Sequence, residues 1–138
     1  MNRTELRELL MKLFFQMEAQ QDFEKEAAER FKEIYLADAD SAEYFDKVCS
    51  AFVENKAEID ALIETGLSKW KLSRLAKIDL AILRLGVCEA EFVPEDLVPE
   101  SVAINEAVKM AKKYGADESS KFVNGVLGKI SKDKKEGK

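Results

Sequence analysis

The sequence predicts an all-α fold, a compact helical bundle of about seven helices in a single domain. Apolar residues recur at intervals of three and four along nearly the whole chain, which is the spacing of one helix face. Only two of the 138 residues are proline, and no segment shows the strict apolar–polar alternation of a half-buried strand. A chain of this length suits one domain that buries roughly two-thirds of its unfolded surface.

The first helix is predicted from a start signal and a long apolar stripe. Asn2 and Glu5 have the spacing of a capping box, in which each side chain accepts a hydrogen bond from the other residue's backbone N–H. The stripe then continues to about Gln20. Asp22 is a candidate cap for a second helix, because its carboxylate can accept from an orphan backbone N–H.

The middle of the chain predicts a long helix, a short one and a third that is largely apolar. Asp40 starts a pattern that continues to Gly66, with a bend near Asn55. The short helix is expected at 67–73 and the apolar one at 75–91. Both prolines of the chain follow shortly afterwards, so a loop is expected before the next helix.

The last third predicts two helices with a tight joint between them. The first ends at Gly115, which is expected to supply the left-handed residue that ends many helices. Asp117 is the expected cap of the second, which runs to about residue 130. The folded domain is therefore expected at 1–130, followed by a disordered basic tail at 131–138.

The net charge of −5 is unevenly distributed. Residues 107–138 carry nine lysines and four acidic residues, a net +5, whereas the preceding residues carry −10. An acidic body argues against general coating of nucleic acid, while a basic end permits a local site for a polyanion. Solvated helix faces with a frayed tail explain the same charges equally well.

The location of the protein is predicted from what the sequence lacks. No apolar run approaches the 18 or more residues of a membrane span, and the first residues lack the apolar core of a signal peptide. We therefore expect a cytoplasmic protein with no membrane contact. Cys49 and Cys88 are expected to pack as buried small side chains rather than to form a disulfide.

The sequence argues against enzymatic chemistry. It contains no histidine, which excludes Ser-His and Cys-His nucleophiles, a histidine general base and a histidine metal ligand. Two cysteines cannot form a cysteine-rich zinc site, and no glycine-rich phosphate loop is present. We therefore expect a non-enzyme that needs no cofactor and no metal.

Two aromatic residues do not fit the core pattern. Phe15 projects from roughly the opposite side of the first stripe, following Arg7 two turns earlier. It either packs on another helix or belongs to an exposed aromatic–arginine face on which an RNA base could stack. Phe122 lies at the edge of its stripe, beside the poor helix formers Asn124 and Gly125. Its ring either stacks on an unpaired base or buries against the first helix.

Several strings carry a resemblance to a known family. They are VAINEAVKMAKKYG (102–115), FVNGVLGK (122–129) and, upstream, Trp70, Arg74 and ILRL (82–85). Over residues 3–129 the sequence resembles the NusB family of transcription antitermination factors. The resemblance implies an all-helical bundle that binds the boxA RNA element of ribosomal RNA operons together with the ribosomal protein NusE. It also implies action on the RNA polymerase elongation complex with other Nus factors.

The resemblance also implies which residues form the sites. Asp79 matches an acidic position on the helix that faces the protein partner. The residues expected to bind RNA lie on the first helix and at the joint before the last helix. They are Arg3, Arg7, Phe15, Asp117, Lys121 and Phe122.

The amino terminus departs from the family pattern. It reads MNRTELRE, with acidic residues between two arginines, where relatives often have three or four clustered arginines. Fewer phosphate contacts imply weaker RNA binding by the chain alone. One alternative is therefore a protein-interaction module of the same fold, with weak or lost RNA binding or with homodimer formation. Another is the amino-terminal part of a ribosomal RNA cytosine methyltransferase, for which the sequence carries no cofactor loop.

Overall fold

The computed structural model describes residues 1–36 and 38–137. Within them the chain forms six α-helices, a 3₁₀ turn at Leu72–Arg74 and no β-strand. The predicted all-α class is therefore confirmed, with six full helices and one turn in place of about seven helices. The helices are α1 (Arg3–Gln20), α2 (Lys25–Tyr35), α3 (Ala39–Gly66), α4 (Lys77–Glu91), α5 (Glu100–Tyr114) and α6 (Ser119–Lys135).

α1 begins with the predicted capping box. The Glu5 backbone N–H donates to Asn2 Oδ1 at 2.8 Å, and the Asn2 N–H donates to Glu5 Oε1 at 3.0 Å. α2, α3 and α4 pack against α1, and α5 reaches it through side-chain hydrogen bonds. Buried residues therefore occupy more of the circumference of α1 than the predicted stripe, and they include Arg7 and Met11.

α3 bends at Asn55, as predicted. This residue has φ and ψ of −121° and 19°, and its Nδ2 donates to the Ala51 carbonyl at 2.8 Å. The short helix expected at 67–73 is instead the 3₁₀ turn. The side chains of residues 68–71 just before the turn, including Trp70, are exposed, so no buried face stabilises a longer helix.

α4 lies at the centre of the bundle. Every residue from Leu80 to Glu89 is buried, and α1, α3, α5 and α6 all pack against this helix. Arg84, one of the two charged residues in the run, lies 2.9 Å from Asp60 and 2.7 Å from Glu18. Such pairing is required because an unpaired buried charge costs several kcal/mol, on the order of 3–5.

α6 extends further than predicted. Residues 131–135, expected as a disordered tail, continue the helix, and their side chains bind the ends of α4 and α5. Lys134 Nζ lies 3.0 Å from Glu91 Oε1, and Ser131 Oγ donates to Glu100 Oε1 at 2.6 Å. The tail prediction is corrected for these residues, and Lys138 lies outside the described part of the chain.

The two cysteines are buried and free, as predicted. Burial raises the pKa of the Cys49 thiol to about 12, and it also raises the pKa of the Cys88 thiol. Both side chains are therefore thiols at neutral pH and pack as small apolar groups.

Candidate functional site

A buried ion-pair network lies under the amino terminus of α1. Arg7 is 3% exposed, and its Nε donates to both carboxylate oxygens of Glu89, at 2.9 and 3.1 Å. Tyr44 donates its hydroxyl hydrogen to Glu89, and Glu106 accepts from Arg7 Nη1 at 3.4 Å. Burial beside the Glu89 charge raises the pKa of Tyr44, so its hydroxyl remains a donor. The network joins α1, α3, α4 and α5.

The two arginines that were expected to contact RNA lie in different environments, one inside the network and one at the surface. Arg7 lies inside it, so the expectation that Arg7 and Phe15 share an exposed face is wrong, because the acids of α4 and α5 enclose the guanidinium group. Arg3 is at the surface, with its guanidinium carbon 3.9 Å from the centre of the Tyr44 ring. Its Nη1 donates to the Leu97 carbonyl at 3.4 Å. Arg3 thus rests on a ring that the buried network holds.

Phe15 is 39% exposed and is therefore not a core residue. Lys12 lies one turn earlier on the same face, and its Nζ is 5.8 Å from the centre of the Tyr114 ring. The Tyr114 hydroxyl donates to Glu8 Oε1 at 2.8 Å, and Lys113 Nζ lies 2.8 Å from Glu8 Oε2. These contacts hold the end of α5 beside the exposed face of α1.

The joint between α5 and α6 is tight because Gly115 has no side chain. Its φ of −89° is not the left-handed value that was predicted; instead, a Cβ here would lie 2.6 Å from Ser119 Oγ. That oxygen accepts from the Ala116 backbone N–H at 3.0 Å. The predicted Asp117 cap is also wrong, since α6 begins without a side-chain cap. Asp117 is exposed and makes no hydrogen bond or ion pair with the residues described.

Lys121 and Phe122 lie in the first turn of α6. The Phe122 ring is half-buried: it packs against the core and keeps part of its surface in solvent. Lys121 is exposed and lines a groove of about 430 Å³ between α5 and α6. The other groove side chains that can bind a phosphate or a base edge are Asn105, Lys109, Lys112, Ser120 and Asn124.

These contacts bring Phe15 to the end of the bundle where the α5–α6 joint lies. Arg3 stands apart, roughly 18 Å before Phe15 along the axis of α1. Sequence reasoning missed Lys12, which supplies the cation beside Phe15 where Arg7 was expected. Its signal was a lysine that interrupts an apolar run one turn before an off-stripe aromatic residue.

Asp79 lies in the first turn of α4, at the opposite end of that helix from Glu89. It is half-buried, and its Oδ1 is shielded from solvent without a hydrogen-bond partner among the residues described. A buried acceptor in this condition costs about 1–3 kcal/mol. The amino-terminal dipole of α4 stabilises the carboxylate, and a donor from a second protein would stabilise it further.

The described residues offer no site for metal chemistry. Within 1–36 and 38–137, no group of three or more His, Cys, Asp or Glu side chains could hold a metal ion. Over the same ranges no helix combines the length and the apolar content that crossing a bilayer requires. The candidate site is the surface that Phe15 and Lys12 form beside the α5–α6 joint.

Nearly the whole chain matches one protein family. Residues 4–132 match the model of the NusB family. The chain belongs to the NusB family. A curated relative, the transcription antitermination protein NusB of Agathobacter rectalis, is 46% identical over 135 residues. The match covers 95% of this chain and the full length of the relative.

Two solved structures of NusB proteins are similar to this fold. T. maritima NusB has a TM-score of 0.84 and 36% identity, covering 96% of this chain and 92% of that one. A second structure contains the antitermination factors NusB and NusE in complex with double-stranded RNA. It has a TM-score of 0.78 and 30% identity, and covers 94% of this chain and 96% of its counterpart. The family resemblance predicted from the sequence is thus confirmed.

Proposed function

We propose that this NusB-family protein is a transcription antitermination factor that binds boxA-type RNA of ribosomal RNA operons together with the ribosomal protein NusE. It acts on the RNA polymerase elongation complex with other Nus factors, as a binding protein rather than an enzyme. The observation that carries the proposal is the exposed Phe15 beside Lys12, held next to the α5–α6 joint. A similar solved structure, which contains NusB and NusE with double-stranded RNA, supports the part of the proposal that joins NusE and RNA.

The proposed RNA contacts suit a single strand. Phe15 and the exposed part of Phe122 offer ring faces on which unpaired bases can stack. Lys121 and Arg3 supply charges for phosphates. Asp117, which has no partner among the residues described, can accept from the N–H groups of a base edge.

Arg7 contributes indirectly in this proposal. Its Nε and Nη1 donate to Glu89 and Glu106, and its side chain is 3% exposed, so the guanidinium group is held away from a phosphate in solvent. It neutralises Glu89, which holds Tyr44, and the Tyr44 ring supports Arg3. Arg7 is therefore a positioning residue for the surface arginine.

The partner site in this proposal is the start of α4. Asp79 Oδ1 has no hydrogen-bond donor among the described residues, and a basic group of NusE would supply both a donor and an opposite charge. Glu89 stands ten residues further along the same helix, roughly 15 Å away along its axis. α4 therefore connects the partner side to the network that supports Arg3.

A second candidate function is a protein-interaction module with weak or lost RNA binding. The burial of Arg7 favours it, because Arg3 is then the one arginine of the amino-terminal segment that can reach a phosphate. The cations near Phe15 and the joint must supply the rest of the attraction. The two functions differ in whether the chain adds RNA affinity of its own.

A titration with boxA RNA distinguishes them. We expect the chain alone to bind weakly, with a slope of log affinity against log salt of about −2, since Arg3, Lys12 and Lys121 would neutralise about three phosphates of a single strand. The complex with NusE should bind more tightly. Fluorescence anisotropy over a salt series measures both quantities. Equal affinities would refute the coupling, and a complex no tighter than NusE alone would favour the interaction module.

Two glycines of α6 form a matched pair for locating the RNA surface. A Cβ at Gly125 or Gly128 would meet no atom within 4 Å, so each change to alanine should stabilise the helix by about 0.5–1 kcal/mol. Gly125 lies one turn after Phe122 on the same face, whereas Gly128 points elsewhere. We expect Gly125→Ala to lower RNA affinity several-fold, because its methyl group would occupy open space on the face that holds Phe122, where the RNA is proposed to lie.

The control is Gly128→Ala, which should gain similar stability and keep its RNA affinity. Thermal unfolding and RNA titration of both variants provide the comparison. If the two variants bind RNA equally well, the face that holds Phe122 and Gly125 does not contact RNA.

A further inference from the structure

The segment between α3 and α4 presents an exposed tryptophan among cations. Trp70 is 60% exposed, and Lys69, Lys71 and Arg74 beside it are exposed as well. None of these three cations forms an ion pair with an acid in the described part of the chain. This differs from most of the basic surface, where lysines such as Lys113 are paired with carboxylates.

Packing of the segment does not explain the exposed ring. Leu67, Leu72 and Leu75 are half-buried and anchor the segment on the core. Trp70 lies between these anchors but is not among the side chains that pack on the core. No arginine or lysine of the described residues covers its ring face. A large apolar surface is therefore left in water beside three cations that form no ion pair with the described residues.

We propose that Trp70, Lys69, Lys71 and Arg74 form a second contact for single-stranded RNA, apart from the surface at the α5–α6 joint. The indole ring would stack on an unpaired base, and the cations would contact the adjacent phosphates. Three cations that form no ion pair with a described acid favour a polyanion over a protein, because a protein partner would need an acidic surface to match them. The inference rests on the proposed RNA-binding function.

The position of the segment allows one RNA strand to reach both surfaces. Lys71 lines a cavity of about 510 Å³ together with Glu18 and Gln21 at the end of α1. Lys77 Nζ lies 3.9 Å from Glu18 Oε2. Glu18 is one turn beyond Phe15, so the segment adjoins the helix that carries the first stacking residue. In this proposal the strand would pass from Phe15 to Trp70 along the end of α1.

The test uses the fluorescence of Trp70, the single tryptophan of the chain. The full chain with NusE is titrated with a minimal boxA RNA and with boxA RNA extended by about ten nucleotides on either side. We expect the extended RNA to quench the emission and the minimal RNA to leave it unchanged. Trp70→Ala should weaken binding of the extended RNA about five- to 150-fold, the range seen when a stacking aromatic is removed, without affecting the minimal RNA.

A charge variant and a matched control complete the test. Replacing the three cations of the segment by glutamine should reduce the salt slope for the extended RNA by about 2, at roughly 0.7 per phosphate of a single strand. The control removes two lysines and one arginine from exposed positions on α2 and α3. It is Lys25→Gln, Arg30→Gln and Lys47→Gln, which should keep the slope.

The outcomes separate this inference from the proposed function. Phe15→Ala should weaken binding of both RNAs, whereas Trp70→Ala should weaken only the extended one. Unchanged Trp70 emission at saturation with extended RNA would overturn the inference and leave the proposed function standing. A change of emission on adding NusE without RNA, with a weaker NusE complex for Trp70→Ala, would make the segment a protein contact and overturn it also. If neither the minimal nor the extended RNA bound, both proposals would be overturned.

Discussion

Replacing Arg7 by methionine is expected to lower the free energy of unfolding by about 3–5 kcal/mol. Methionine keeps an apolar stem of similar length but leaves the Glu89 charge buried without its main cation, and breaking a buried pair costs about this much. The two side chains are 3% and 1% exposed, so water cannot take the place of the guanidinium group. Urea unfolding followed by circular dichroism measures the loss.

Two further variants test the reason for that loss. The double variant Arg7→Met/Glu89→Leu removes both charges and should recover much of the stability, since an apolar pair tolerates burial. Arg30→Met breaks an exposed pair with Asp22 on the surface and should change stability far less. If Arg7→Met lost less than about 1 kcal/mol, or if the double variant were the least stable, the pair would not hold the network together.

Asp79→Lys is expected to weaken the complex with NusE by about 2–5 kcal/mol, or roughly 30- to several-thousand-fold in Kd. The change replaces a carboxylate that is short of donors by a cation at the surface proposed for a basic partner group. It also places a positive charge at the amino-terminal end of α4, where the helix dipole disfavours it. Calorimetric titration with NusE measures the affinity.

The matched control for this variant is Glu33→Lys. Glu33 is exposed on α2 and makes no hydrogen bond or ion pair with other described side chains, so the variant carries the same change in net charge away from α4. It should bind NusE as the unaltered chain does. Circular dichroism must show intact helix content in both variants. An Asp79→Lys protein that is folded and binds with unchanged affinity would remove Asp79 from the interface.

Features that depend on neighbouring residues could be predicted from the sequence. The capping box of Asn2 and Glu5 and the bend at Asn55 each arise within one turn of helix, so the residue types alone indicate them. The exposure of Phe15 could be stated as one of two alternatives, because its position on the helix was clear. What covers each face of α1 was not, since this depends on helices far along the chain.

The surroundings of Arg7 and Gly115 could not be predicted from the sequence. Spacing placed Arg7 on the side of Phe15, but the acids that enclose it lie on α4 and α5. Gly115 was correctly expected at the end of α5, yet for the wrong reason. The requirement there is room for Ser119, a contact that backbone preferences do not reveal. The prediction of a disordered tail was wrong for a similar reason, because Ser131 and Lys134 bind residues of α5 and α4.

The partners of Arg7 also determine when during synthesis α1 can reach its final environment. Glu89 follows it by 82 residues and Glu106 by 99. Domains are synthesised at about 5–20 residues per second. Roughly 4–20 s therefore separate the incorporation of Arg7 from that of its two acids. Throughout that interval the guanidinium group lacks both acids. α1 can therefore complete its packing only after α4 and α5 have been synthesised.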